Sequence, residues 1–139
     1  MFAINVKAPF LLTAAYAPAM AEKGGGAIVN VSTMVASRGM AGMAAYGASK
    51  AALESLTRSW AAEYGPRGVR INAVALGPIL TPASEPLAEM LPSLTAAIPL
   101  RRAAQPIEVA QAIAYLCGDD AGYVTGAVVP VDGGRQSVL

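Results

Sequence analysis

Histidine is absent from the 139 residues, which removes the commonest metal ligand and the side chain most often used as a general base near neutral pH. The single cysteine, Cys117, excludes an internal disulfide and a cysteine-based zinc site. It reads as a small core residue. So little cysteine fits a reducing compartment, and the expected location is cytoplasmic. Charge is also scarce. A formal net charge of +1 gives no basic field for nucleic acid or a membrane surface, so neither is expected as a partner. No apolar run reaches the roughly 18 residues of a membrane span. The uncharged stretch from Ala8 to Ala21 faintly imitates a signal peptide, but it holds Pro9 and Pro18 and lacks a basic cluster before it.

Apolar residues, by contrast, make up 55% of the chain, high for a small domain. That excess implies faces meant for other surfaces, either partner subunits or further parts of the same domain. No repeat, low-complexity tract or linker interrupts the chain, and 139 residues suffice for one domain.

Gly24-Gly25-Gly26 reads as a turn into Ala27 to Ser32, a short β-branched apolar run of the kind buried on both faces of a sheet. A polar loop with Gly and Met leads to a helix from Ala45 to Tyr64, with Leu53, Leu56, Trp60 and Tyr64 on one face. Its second stripe, Ala48, Ala52, Ser55, Ser59 and Ala62, is small enough for close helix packing. Gly65-Pro66 ends it. A second strand runs from Val69 to Ala75. Leu76 to Arg102 holds five prolines and few periodic signals, as expected of a mobile loop. A helix then begins at Pro106, with Glu108 in its first turn and Ala110, Ile113, Ala114 and Cys117 as its buried stripe. The last strand is Ala127 to Asp132. Pro130 lacks an N–H, which places that strand at a sheet edge. Strand, helix, strand, helix, strand implies an α/β fold with a parallel sheet covered by helices.

Tyr46 and Lys50 stand four apart near a helix start, hence side by side on one face. A phenol ordinarily keeps its proton at neutral pH, and an ammonium a few ångströms away favours the phenolate. Such a pair suits general acid/base work. The spacing alone is weak, because 5 Tyr and 3 Lys produce such a pair by chance about once in ten chains of this size. The flanks carry more. Ile28-Val29-Asn30-Val31-Ser32-Thr33 and Ala45-Tyr46-Gly47-Ala48-Ser49-Lys50-Ala51-Ala52-Leu53 resemble the active-site segment of short-chain dehydrogenases/reductases. So do Gly68 to Val74, Gly77 to Thr81, Ile98-Pro99-Leu100-Arg101-Arg102 and Val131-Asp132-Gly133-Gly134, in order and at family spacing.

The resemblance implies a partial Rossmann-type doubly wound parallel sheet, comprising the last three strands and their helices. The whole chain, 1–139, is then one partial domain, the C-terminal catalytic part of such an enzyme. It implies an oxidoreductase that interconverts an alcohol and a carbonyl with NAD or NADP, similar to 3-oxoacyl-thioester reductases, and a homo-oligomer, dimer or tetramer, when complete. Tyr46 matches the proton donor/acceptor, and Lys50 the residue that assists it and binds the nicotinamide ribose. Asn5 matches the asparagine that helps hold a water in the proton relay. Thr33, thirteen residues before Tyr46, stands where the family usually has Ser. Ser32 is the hydroxyl that could be confused with it, but strand alternation turns Ser32 to the opposite side. Gly77 matches the family's Pro-Gly turn, with Leu76 in place of the proline. Ile79 would offer backbone atoms to the carboxamide and Thr81 would reach the pyrophosphate. Val35, Met40, Met43, Leu87, Met90 and Leu91 suggest an apolar binding wall.

A Gly-rich loop between a strand and a helix, an Asn-Asn-Ala-Gly segment and the residue that selects NAD or NADP have no match in the chain. The leading expectation is therefore a fragment, or a wrongly started reading, that is inactive alone. A non-catalytic short protein associating with related subunits is the alternative. An epimerase or dehydratase also uses a Tyr–Lys pair, but the Asp132-Gly133-Gly134 ending favours alcohol/carbonyl redox chemistry.

Overall fold

The computed structural model describes residues 1–82 and 89–138. Helix α1 (Ala8–Glu22) follows a wide π-helical turn at Ala3–Lys7. Strand β1 (Gly26–Thr33), helix α2 (Ala44–Tyr64) and strand β2 (Val69–Leu76) come next. The short helix α3 (Leu91–Ala96), helix α4 (Pro106–Cys117) and strand β3 (Val128–Val131) complete the described elements. The three strands pair in the order β1-β2-β3, parallel throughout, from Gly26↔Val69 to Thr33↔Leu76 and from Ala73↔Val128 to Leu76↔Val131. Helices in the connections are what parallel pairing requires.

The central strand β2 is buried almost continuously, as a parallel strand covered on both faces must be. On one side Val69 and Ile71 meet Leu53, Trp60, Ala61 and Tyr64 of α2 and Ala17 of α1. Leu56 is packed against that cluster, and Phe10 lies against Trp60 with ring centroids 5.9 Å apart. The α2 face expected from its periodicity is thus the core face. Arg70 reaches from β2 to the end of α4, its guanidinium donating to the carbonyls of Leu116 at 2.7 Å and Gly118 at 2.9 Å. A cation there satisfies carbonyls that a helix end leaves without partners. Fully buried Asn72 donates to the Val124 carbonyl and accepts from the Ala127 amide, fixing the entry to β3.

Several expectations change. β1 is only half-buried, with Val31 43% exposed, because β2 covers one of its edges and no described strand the other. In α4 the buried residues are Val109 and Leu116, with Ile113 half-buried, whereas Ala110, Ala114 and Cys117 face outward. Cys117 is therefore an exposed thiol and not a core residue. The proline-rich stretch after β2 holds α3 and a bridge between Ile79 and Ala104. Pro130 does lie on an edge strand, exposed. No described helix is long and apolar enough to cross a membrane.

The start of α4 carries its own test. Glu108 accepts from the Gln105 amide at 2.8 Å and pairs with both terminal nitrogens of Arg102, at 2.7 and 2.6 Å. Those bonds, Arg102 first, hold its carboxyl down to about 2 from an ordinary 4.5. The stabilisation is present above pH 4.5 and is lost as pH falls toward 2. The pair is solvent-facing, so the effect is small and salt-screened. Arg102→Ala should return the Glu108 titration, followed by carboxyl NMR, toward the ordinary range and flatten the acid limb of stability. An unmoved titration would show that the helix start alone holds the carboxylate.

Candidate active site

Thr33 ends β1, and its hydroxyl caps the single turn that follows, accepting from the Val35 amide and donating to the Leu76 carbonyl, both at 3.4 Å. These are long bonds, which leave the hydroxyl available to a stronger partner. Ser32 is committed elsewhere: it is 2% exposed and donates to Glu54 Oε1 at 2.6 Å. The two neighbouring hydroxyls thus point to opposite sides of the strand, one into the β1–α2 interface and one to the strand mouth.

Tyr46 and Lys50 occupy the first turns of α2, both half-buried. Lys50 Nζ donates to the Val31 carbonyl at 2.8 Å, which draws it to the same end of β1 as Thr33. Burial pushes its ammonium below the ordinary lysine range. Gly47, next to Tyr46, is where α2 meets the turn after Thr33. A Cβ there would stand 2.8 Å from the Val35 carbonyl oxygen, so only glycine permits the approach. Asn5 lies within the π-helical turn, a distortion frequent at functional sites. Its amide donates to Ser49 Oγ at 3.0 Å, and the fully buried Ser49 donates to the Tyr46 carbonyl at 2.7 Å. The chain Asn5–Ser49–Tyr46 ties the π-helical turn to the helix segment carrying the Tyr–Lys pair.

At the end of β2, Gly77 sits so close to β3 that a Cβ would approach Asp132 Cα to 2.8 Å. Leu80 donates to Ala104 and Ala104 to the Pro78 carbonyl, so strand alternation directs the N–H and carbonyl of Ile79 away from that bridge. Half-buried Thr81 follows two residues on. Buried Asp132 accepts from the amides of Gly134 and Gln136, each at 2.9 Å, and shapes the turn that closes β3 over Ile98 and Pro99. These features fit a nicotinamide: a backbone donor and acceptor at Ile79, a close approach at Gly77 and a cation at Lys50. A nicotinamide bound there would supply or remove hydride.

Val35, Met40 and Met43 line a cleft of about 370 Å3 beside Gly47. Leu91 is half-buried at the start of α3 and Met90 is exposed beside it, while Leu87 lies outside the described residues. Pairings such as Ser32–Glu54 and Asn5–Ser49 have no signal in the sequence. Their residues stand in unremarkable helical positions, and only the β1–α2 register brings them together.

The chain matches the family model described as enoyl-(acyl carrier protein) reductase over residues 1–136. It is 43% identical over 132 residues to the 3-oxoacyl-[acyl-carrier-protein] reductase FabG of Thermotoga maritima, covering 94% of this chain and 54% of that protein. A solved short chain dehydrogenase/reductase family protein superposes with a TM-score of 0.93 at 46% identity, covering 99% of this chain and 57% of its own. The structure of ElxO with NADP bound gives 0.91 at 29%, covering 96% and 56%. The chain spans about half the length of the curated relatives it matches.

Proposed function

The chain belongs to the short-chain dehydrogenase/reductase family, and from that premise we propose that its residues form the catalytic part of an NAD(P)-dependent oxidoreductase interconverting an alcohol and a carbonyl. One observation carries the reading: Thr33, Tyr46 and Lys50 are gathered at one end of a parallel strand by the Lys50–Val31 bond and the close fit of Gly47 on Val35. Ligands of open parallel sheets sit at the carboxyl ends of the strands, where Thr33 ends β1 and α2 brings Tyr46 and Lys50 beside it.

In the reducing direction the substrate carbonyl lies between the Thr33 and Tyr46 hydroxyls. Tyr46 gives its proton to the oxygen as hydride arrives at carbon, and in oxidation it takes that proton back. Lys50 favours the phenolate left behind and holds the ribose hydroxyls. Asn5, through Ser49, positions the helix start and helps hold the relay water. Gly77, Ile79 and Thr81 serve the nicotinamide end of the cofactor. The FabG relative favours a 3-oxoacyl thioester as substrate, and the Val35, Met40 and Met43 wall suits an acyl chain. The small-residue face of α2, with Ala48, Ser55, Ser59 and Ala62 exposed, supports homo-oligomer formation.

A non-catalytic role in association with related subunits is the second reading. It is favoured by the edge of β1 that no described strand covers and by Phe10, Leu11, Leu12 and Tyr16, each about half exposed on α1.

The hydroxyl assignment is tested in a chain completed with a dinucleotide-binding half, by following nicotinamide oxidation. Thr33→Ser should remain active. Thr33→Val should lose about 100-fold, the scale of one lost donor to a developing oxyanion. Full activity in Thr33→Val would remove Thr33 from the mechanism.

A further inference from the structure

Beside the proposed reaction site lies a cavity of about 150 Å3 lined by Met34, Val35, Arg38, Met40, Leu94 and Arg135, among others. Two arginines nearly a hundred positions apart in the chain therefore face one small space. Arg135 Nη1 is buried without a hydrogen-bond partner among the described residues. Leaving a guanidinium donor in that state costs free energy, which a bound acceptor would recover. Arg38 is held beside it by the C-terminal turn: its Nη2 donates to the Gln136 carbonyl, and Ser37 Oγ donates to Gln136 Oε1 at 2.9 Å.

Neither cation is neutralised from within the described chain. The ion pair formed there is Arg102–Glu108, on α4. The nearest acid in sequence, Asp132, spends its two oxygens on the amides of Gly134 and Gln136. No described acidic side chain lines the cavity. Besides the arginines its wall holds Ser93, Gly39 and apolar side chains, so an anion entering it meets two planar donor groups. Paired guanidinium groups in such a setting select planar or tetrahedral oxyanions.

We propose that Arg38 and Arg135 form an oxyanion-binding subsite that takes a compact carboxylate or phosphate carried at the far end of the substrate. Met34 and Val35, which line the cavity, directly follow Thr33 in the chain, which puts the subsite next to the proposed reaction site. That the bound anion is part of the substrate rests on the oxidoreductase reading. The anion binding itself does not, because every group it needs lies within the chain.

Calorimetric titration of the 139-residue chain at low ionic strength separates the two. The probes are succinate, its neutral diamide and inorganic phosphate. Succinate or phosphate should bind saturably and the diamide should not. Tighter phosphate binding marks a phosphate ester as the source, and tighter succinate a carboxylic acid. Arg135→Met and Arg38→Met, checked for folding by circular dichroism, should each weaken binding about tenfold or more, with Arg135→Lys in between. Arg58→Ala, which removes an exposed cation elsewhere on α2, should change nothing. No saturable binding of either anion, equal binding in Arg135→Met, or an equal loss in Arg58→Ala would overturn the subsite. None of these readouts depends on turnover, so they leave the redox reading to its own tests.

Discussion

Purified as 139 residues, the chain is expected to leave reduced nicotinamide cofactor unoxidised in the presence of ketones, aldehydes or 3-oxoacyl thioesters. Hydride transfer needs the nicotinamide held in reacting contact with the substrate, and losing that placement costs about 10^5-fold or more. In dinucleotide-binding folds most of the grip comes from a Gly-rich strand-to-helix turn, with the pyrophosphate at the helix N-terminus. The glycine run here, Gly24 to Gly26, precedes β1 and joins a helix to a strand, the reverse of that arrangement. In the proposed site Lys50, Gly77, Ile79 and Thr81 would hold one end of the cofactor alone. The edge of β1 that no described strand covers adds a second consequence. A parallel strand with no described strand on its second edge, flanked by apolar α1 side chains, promotes association. Size-exclusion chromatography beside a fluorescence titration with reduced cofactor reads both effects. Weak, unsaturated binding by a self-associating chain is expected. Tight saturable binding by a monomer would contradict the account of how the cofactor is held.

Much of this architecture is written in local pattern. The Leu53–Trp60–Tyr64 stripe located α2 to within a residue at its start, because a helix buried along one side must repeat its apolar residues at that period. Pro130 located an edge strand, because a missing N–H is intolerable in a central one. Alternation separated Ser32 from Thr33, since successive strand residues face opposite ways. Where two local signals competed, the pattern misled. In α4 small and apolar residues occupy most positions, so the phase of the buried stripe was open. Packing chose Val109 and Leu116, and Cys117 was left outside. The π-helical turn around Asn5, the reach of Arg70 to the end of α4, and the meeting of Arg38 with Arg135 have no local signature. Each depends on the distance between elements in the folded chain. The candidate site divides in the same way. Its Tyr–Lys spacing is local and legible, whereas the Ser49 bridge and the Glu54 partner of Ser32 follow from the β1–α2 register.

In a chain completed at its N-terminus by the dinucleotide-binding half of a family reductase, Tyr46→Phe is expected to remove nearly all carbonyl reduction, about 10^3-fold, within the range of a lost general acid. The substitution deletes one oxygen and keeps the ring. The Asn5–Ser49–Tyr46 connection also survives, because it runs through the Tyr46 backbone carbonyl. Cofactor binding should therefore stay nearly unchanged, and the loss should fall on the rate of the chemical step. Lys50→Ala should behave differently, weakening cofactor binding as well as rate, since in the proposed mechanism its ammonium would serve the ribose and the phenol together. The measurement that bears most directly on the proposed chemistry is single-turnover oxidation of pre-bound reduced nicotinamide by a 3-oxoacyl thioester, in the unsubstituted completed chain and in Tyr46→Phe. Loss of the absorbance decay in Tyr46→Phe, with cofactor affinity retained, is the expected result. A decay of equal rate in both proteins would show that the proton comes from another group and that Tyr46 is not the acid of the reaction.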